Sequence, residues 1–388
     1  MGGAPHDRAH PERRDRRGGG VTTWPDWADR RAEAIRRAGR WRAPRTLDGA
    51  GPVHTLPDGR RVVSFASNDY LGLSGHPDVV VAAHDAIDRW GAGAGSARLI
   101  VGSRPVHDSL EAELAAWKGA ERAALFPTGF AANLGVLTTF AGPGVLVCSD
   151  ELNHASIIDG CRLSRGDVAV YPHGDLEHLA KLLSERAPER AVVVSDTVFS
   201  MDGDTADVDG LAALCGRHGA LLVLDEAHAV LGPLPHFETA ADVLRVGTLS
   251  KTLGALGGFV AGPRRYVELV ENLARPYIFT TAPTPADAAA ARAALRVLRS
   301  PTGDALVARL RTHVDRVRAG HPSPIVPVVL GDERAAVDAS ASLLDRGLLV
   351  PAIRPPTVAP GTSRLRVTLS AAHTDEQVAA LVAALASL

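Results

Sequence analysis

Lysine is nearly missing from this chain. Its 42 Lys and Arg residues include only three lysines, Lys118, Lys181 and Lys251. Any chemistry that needs an amine therefore has three candidates. Cysteine is as scarce: Cys148, Cys161 and Cys215 stand far apart with no CxxC pair. That excludes a disulfide framework and a zinc site, so no metal is expected, and it fits a reducing, cytoplasmic setting. No apolar run approaches a membrane span. Nor is there an excess of charge: a net −2 and a pI near 6.7 give no field to steer nucleic acid or an anionic membrane. The opening MGGAPHDRAHPERRDRRGGG lacks the apolar centre of a secretory signal, and His6 stands where a myristoylation site needs Ser or Thr. Residues 1–22 are expected to be a disordered tail.

What is present is ample apolar material. Hydrophobic residues make up 46% of 388, with 22% charged, which supports one large domain and a smaller one. The boundaries expected are an N-terminal segment over 23–66, a large domain over 67–285 and a small C-terminal domain over 286–388. From Trp24 to Trp41 the pattern is a short Arg-rich helix, then a strand-and-turn around Pro57-Asp58-Gly59. A glycine-rich stretch at 91–103 precedes a helix over 107–119, which Gly119 should end.

The middle of the chain alternates short apolar runs with helical ones. AALF (123–126), GVLVCSD (144–150), VAVY (168–171), AVVVSDTVF (191–199), ALLVLDEAH (220–228) and VLRVGTLSK (243–251) read as strands. Continuous apolar strands separated by helices imply an α/β fold with a mostly parallel sheet covered on both faces. Past Pro285 the strands IVPVVL and RLRVTLS, with flanking helices, read as a small α+β unit.

Ligands of such sheets bind beyond the carboxyl ends of the strands. Lys251 follows one of these ends among small residues, where a desolvated amine can serve as a Schiff-base nucleophile; a plain loop charge is the alternative. Lys118 and Lys181 fall on helices and read as solvated surface charges. Asp225 ends another strand, where it could hold a protonated ring nitrogen or simply cap a turn. His154, after a third strand, could stack on a flat ring or merely cap a helix. The turn FPTGFAAN opens a helix whose N–H groups at Gly129 and Phe130 suit a phosphate. VFSMDGD puts Ser200 and Asp202 at one more strand end. The letters DEAH at 225–228 spell a helicase box, but no lysine follows a glycine, so the phosphate loop that box requires is missing.

An aspartate at a strand end, a lysine 26 residues later, an upstream aromatic stacker and a helix-terminus phosphate site resemble fold-type I pyridoxal-phosphate enzymes. SNDYLGLS, SARLIVG, TGFAAN, NHAS, VFSMDGD, DEAH and TLSKTLG together resemble the α-oxoamine synthases within them. The resemblance implies pyridoxal 5'-phosphate held by Lys251, with Asp225 at the pyridine nitrogen and His154 stacked on the ring. It further implies His228 and Ser200 near the phenolic oxygen, and Thr248, Gly129 and Phe130 around phosphate and ring. Thr280 or Thr281 would reach the phosphate from a second subunit, so a homodimer is implied. Arg366 would hold an amino-acid carboxylate, Thr357 and Arg36 would touch the acyl substrate, and Asn68 would line the thioester site.

The stretch AIRPPTVAPGTSRLRVTLSAAHT (352–374) is similar to the branch of the family that joins L-alanine to a pimeloyl thioester, carried on coenzyme A or an acyl carrier protein. A sister enzyme using glycine, a non-catalytic partner subunit and a plain aminotransferase are the other readings. One departure stands out: the family's glycine-rich segment after DEAH is here a shorter HAVLGPLPHFETA, which alters the wall of the acyl channel.

Overall fold

The structure is a computed structural model that describes residues 23–186, 189–233 and 240–388. The expected tail at 1–22 lies outside the described residues, as do residues 234–239 of the altered segment. The described chain falls into two compact units, one ending at Thr46 and one running from Leu47 to Leu388. In the first, Thr23 caps the helix Trp24–Arg37 and its side chain accepts from Asp26 N.

The second unit opens with β1 (Val53–Thr55) and β2 (Arg61–Ser64), an antiparallel pair around the anticipated turn. Its central sheet is built from β3 (Arg122–Phe126), β4 (Val145–Asp150), β5 (Asp167–Tyr171), β6 (Arg190–Asp196), β7 (Leu221–Asp225), β8 (Val243–Thr248) and β9 (Gly258–Gly262). The order across the sheet is β3-β9-β8-β7-β6-β4-β5. Only β9 runs against its neighbours. It was invisible in the sequence because Gly-Phe-Val-Ala-Gly continues the small-residue loop after Lys251 without a change of texture.

Alternation along the strands divides the core. Phe126, Val147, Val194, Val223 and Val246 pack on one face, beneath the helices Gly129–Phe140, Ala155–Ser164 and Arg264–Leu273. Cys148, Val193, Leu222 and Leu224 face the other side, under Leu176–Arg186 and Val208–His218. Burial on both faces is why these strands read as unbroken apolar runs.

The C-terminal strands β10 (Ile325–Gly331), β12 (Ala352–Ile353) and β13 (Ser363–Thr368) form an antiparallel sheet, while β11 (Leu348–Leu349) pairs in parallel with β2. One apolar cluster runs from Phe65 and Leu125 through Leu295 to Val367, so this C-terminal layer shares a core with the helices on the large sheet. Gly203, in the loop after β6, runs close against β10: at φ +70°, a Cβ there would lie 1.9 Å from Ile325 O. No helix among the described residues is long and apolar enough to cross a membrane.

Candidate active site

Five strand ends converge on one cavity of about 210 Å3. Its walls include Gly129, Phe130, His154, Ser200, Asp225, His228, Thr248 and Lys251, eight of the residues singled out in the sequence. It is smaller than the ~300–1,000 Å3 of drug-sized clefts, and suits a single substituted ring.

The floor is a fixed hydrogen-bond array. Asp225 Oδ1 accepts from Ala227 N at 2.9 Å, and its Oδ2 accepts from Asn133 Nδ2 at 2.7 Å. Asn133 also donates to Ser156 Oγ at 2.9 Å. Ser156 Oγ lies 2.7 Å from His154 Nδ1, and Ser156 N donates to the same ring nitrogen. With Nδ1 accepting from both, the ring proton of His154 sits on Nε2. His154 thus caps its helix and presents its ring to the cavity, the two readings that the sequence left open. Burial lowers its pKa against the pull of Asp225, so the ring is neutral.

Asn133, Ser156 and Asp196 were missed in the sequence. Asn133 lies a full helical turn beyond Gly129, and nothing local marks it as facing Asp225. Asp196 ends β6, and its Oδ2 accepts from His154 N at 2.8 Å. Burial, and then the Asp225 charge, push its pKa well up.

Lys251 is mostly buried, and desolvation lowers its ammonium pKa despite Asp225 and Asp196 nearby. Its Nζ is 2.9 Å from His228 Nε2, and His228 Nδ1 is 2.5 Å from the hydroxyl of Tyr70. Burial and then the Lys251 charge hold His228 well below the ordinary histidine range. Tyr70 was another omission. It sits within SNDYLGLS, where its aromatic ring reads as core.

The opposite end of the cavity is a helix N-terminus. Thr128 caps the helix Gly129–Phe140, with Oγ1 accepting from Ala131 N at 3.1 Å. The N–H groups of Gly129 and Phe130 occupy its first two positions, beyond the reach of intrahelical acceptors. A Cβ on Gly129 would come within 3.2 Å of Thr248 Cβ, and one on Gly258 would strike Thr128 at 2.4 Å. Both glycines keep the cradle open. A depressed lysine, an anchored strand-end carboxylate, a neutral ring and a side-chain-free helix terminus fit pyridoxal phosphate.

Arg366, on β13, lies just outside this cavity. Its Nε donates to Ser200 O at 2.6 Å, Nη1 to Thr368 Oγ1 at 2.9 Å and Nη2 to Asn68 Oδ1 at 3.3 Å. It is 6% exposed, and among the described residues no carboxylate pairs with it. Its neighbour Arg364 is buried as well but pairs with Asp202. Thr280 and Thr281 follow the short helix Arg275–Ile278 and do not line the cavity in their own chain. Thr357 is exposed in the turn after β12. Arg36 belongs to the N-terminal unit, where its guanidinium lies 4.1 Å from the centre of the Trp41 ring.

One expectation fails. Lys118 is no surface charge: its side chain is 5% exposed and its Nζ meets Glu226 Oε2 at 2.5 Å. The helix Pro105–Lys118 directs its last turn at the sheet, where Glu226, beside Asp225 in the chain but facing away from the cavity above, needs a cation.

Residues 60–385 match the model of the aminotransferase class I and II family. The 8-amino-7-oxononanoate synthase of Anaeromyxobacter dehalogenans is 49% identical over 382 residues, covering 94% of this chain and 95% of that protein. That of Burkholderia lata is 46% identical, covering 92% and 94%. Among solved structures, serine palmitoyltransferase from S. paucimobilis with a bound PLP–myriocin aldimine superposes with a TM-score of 0.87 at 29% identity, over 95% of this chain and 98% of that one. The 8-amino-7-oxononanoate synthase of Francisella tularensis gives 0.71 at 25%, over 84% and 97%. This chain belongs to the aminotransferase class I and II family and, within it, to the 8-amino-7-oxononanoate synthases, pyridoxal-phosphate-dependent acyltransferases.

Proposed function

We propose that this enzyme condenses L-alanine with a pimeloyl thioester, releasing CO2 and the free thiol and forming 8-amino-7-oxononanoate for biotin synthesis in the cytosol. The observation that carries the amino-acid half is Arg366, a buried guanidinium with no carboxylate partner among the described residues. A buried cation of this kind calls for an anionic ligand. Two parallel N–H···O bonds from its fork would grip the alanine carboxylate.

Bound at Lys251 and Asp225, the cofactor supplies an electron sink for the charge left when the alanine Cα–H ionises. Asp225 keeps its carboxylate aimed through the bonds from Asn133 and Ala227. His154 would cover the ring of the cofactor, and Gly129, Phe130 and Thr248 would hold its phosphate. Lys251 Nζ would take the Cα proton as general base, a role its lowered pKa favours. Carbon–carbon bond formation at the thioester carbonyl expels the thiolate, and loss of CO2 is followed by return of a proton to Cα. His228 and Ser200 would lie near the phenolic oxygen, and Asn68 beside Arg366 would border the thioester. Thr357 and Arg36 would contact the acyl chain.

The active form is a homodimer in which Thr280 or Thr281 completes the partner's phosphate site. Leu99, Ile100, Val101 and Phe279 support this, as all four are more than half exposed. The segments that carry them are joined by Ala282 N donating to Ser96 O at 3.0 Å. Exposed apolar surface on this scale marks an interface.

The pimeloyl half rests on the relatives at 45–49% identity. Purified protein with L-alanine and pimeloyl-CoA, or the same acyl group on its carrier protein, should yield the aminoketone by mass. Faster turnover with glycine and acetyl-CoA would overturn it.

A further inference from the structure

We propose that Tyr70 is a positioning residue for the cofactor lysine: its hydroxyl accepts a hydrogen bond from His228 Nδ1–H, so that the bare Nε2 of a neutral imidazole faces Lys251. The proposal rests on the reading of Lys251 as that lysine. Tyr70 is fully buried, and burial keeps its phenol protonated far above neutrality. It has no part in the chemistry described so far.

The polarity of the chain of bonds follows from its far end. Arg366 Nη2 can only donate, which makes the atom it meets, Asn68 Oδ1, an acceptor. Tyr70 Oη lies 3.3 Å from the same Oδ1 and 2.5 Å from His228 Nδ1. If the phenol gives its single proton to Asn68, its lone pairs face His228, and Nδ1 must carry the imidazole proton. Nε2 is then a lone pair 2.9 Å from Lys251 Nζ, able to accept from an ammonium. Every donor between Lys251 and Asn68 points the same way. Tyr70 thereby lets His228 hold a charged lysine without becoming charged itself.

Without the hydroxyl the balance reverses. An Nδ1–H facing a Phe ring would be a buried donor with no acceptor, which proteins avoid more strictly than an unfilled lone pair. His228 would shift its proton to Nε2, aim N–H at Lys251 and favour the neutral amine. The other charged or titratable groups around Lys251 are Asp225, Asp196, His154 and Arg366. Of these, Arg366 alone meets Tyr70 and Asn68, and its guanidinium keeps its charge in either variant.

The test uses cofactor-free protein and reads no turnover. Trace dinitrophenylation at a series of pH values, followed by mass spectrometry, gives a titration midpoint for each of the three lysines. In Tyr70→Phe the Lys251 midpoint should fall by about one pH unit, as expected for losing one buried charge-assisted bond. Lys181, on the surface, should not move. Asn68→Leu removes the acceptor of the phenol, turns its O–H toward His228 Nδ1 and should move Lys251 in the same direction. Either variant suffices if the other does not fold. A Lys251 midpoint that stays in place, or rises, in the folded variant overturns the assignment. Failure of alanine and pimeloyl-CoA to react would leave this result standing, and the reverse also holds.

Discussion

Lys118 and Glu226 are buried against each other, Nζ to Oε2 at 2.5 Å, on the side of the sheet opposite the ring cavity. Glu226 is the residue after Asp225, so the two carboxylates at the end of β7 are served from opposite faces, one by Lys118 and one by Asn133. Arg245 Nε approaches the other oxygen of Glu226 at 3.5 Å. The ion pair is thus part of what fixes the end of the strand that presents Asp225.

Glu226→Gln should therefore destabilise the protein strongly. It strands a buried ammonium, a change that costs about 3–5 kcal/mol. Lys118→Met in the same chain should recover a part of that loss only, since Arg245 keeps its charge. Urea denaturation of the two variants checks this through their midpoints. A Glu226→Gln midpoint equal to the parent's would show that Lys118 finds water instead.

A second prediction concerns the loop that carries Ser200. His173 Nε2 bonds Asp204 Oδ2 at 2.7 Å, its Nδ1 lies 3.1 Å from Asp150 Oδ1, and its ring meets the edge of Phe199. Burial opposes its protonation, but the bonds to Asp204 and then Asp150 outweigh it and raise the pKa. A raised pKa means that the folded state binds the proton more tightly than the unfolded one. The contribution is complete below the ordinary histidine value and fades as pH rises through the folded value. The stability gap between the parent and His173→Asn should accordingly be widest in mild acid and narrow toward alkaline pH. A gap that widens with pH would show the wrong sign.

Much of this site was legible because the strands that carry it, unlike the edge strand β5, are largely buried on both faces, so their ends are marked where the apolar run stops. Asp225, His154, Thr248 and Lys251 all stand at such stops. Asn133 and Tyr70 do not. One reaches Asp225 from inside a helix, and the other reaches His228 across 158 positions of chain, contacts that only tertiary packing creates. Lys118 failed for the related reason that a helix-terminal lysine reads as solvated until a buried carboxylate is found opposite. The strand β9 failed because its apolar run is short and framed by glycines.

Lys251→Ala should abolish turnover and the absorbance of the lysine-bound cofactor. Neither remaining lysine can substitute: Lys118 is locked to Glu226, and Lys181 pairs on the surface with Glu185. Borohydride treatment followed by mass spectrometry should find no cofactor attached to the variant chain. Covalent cofactor at Lys118 or Lys181 would sink the assignment.

The last prediction separates the two substrates. Arg366 donates one bond from each of its three nitrogens, to Ser200 O, Thr368 Oγ1 and Asn68 Oδ1, a frame that aims the guanidinium without neutralising it. Burial lowers its pKa, yet guanidinium remains charged at any working pH. Because a carboxylate is common to all α-amino acids, Arg366→Ala should weaken every amino acid alike. Loss of a buried charge partner costs about 2–5 kcal/mol, or about 30-fold to several thousand-fold in kcat/KM for alanine. The ratio of alanine to glycine should stay as it was. Arg366→Lys keeps the charge but not the fork, and should fall between the two. Thr357, exposed after β12, should leave alanine untouched and weaken the acyl partner by about one hydrogen bond, roughly 0.5–1.5 kcal/mol. Steady-state kinetics with each substrate varied at saturating levels of the other resolves the two effects. If Arg366→Ala raised KM for the thioester and spared that for alanine, the buried cation would belong to the dicarboxylic acyl chain instead.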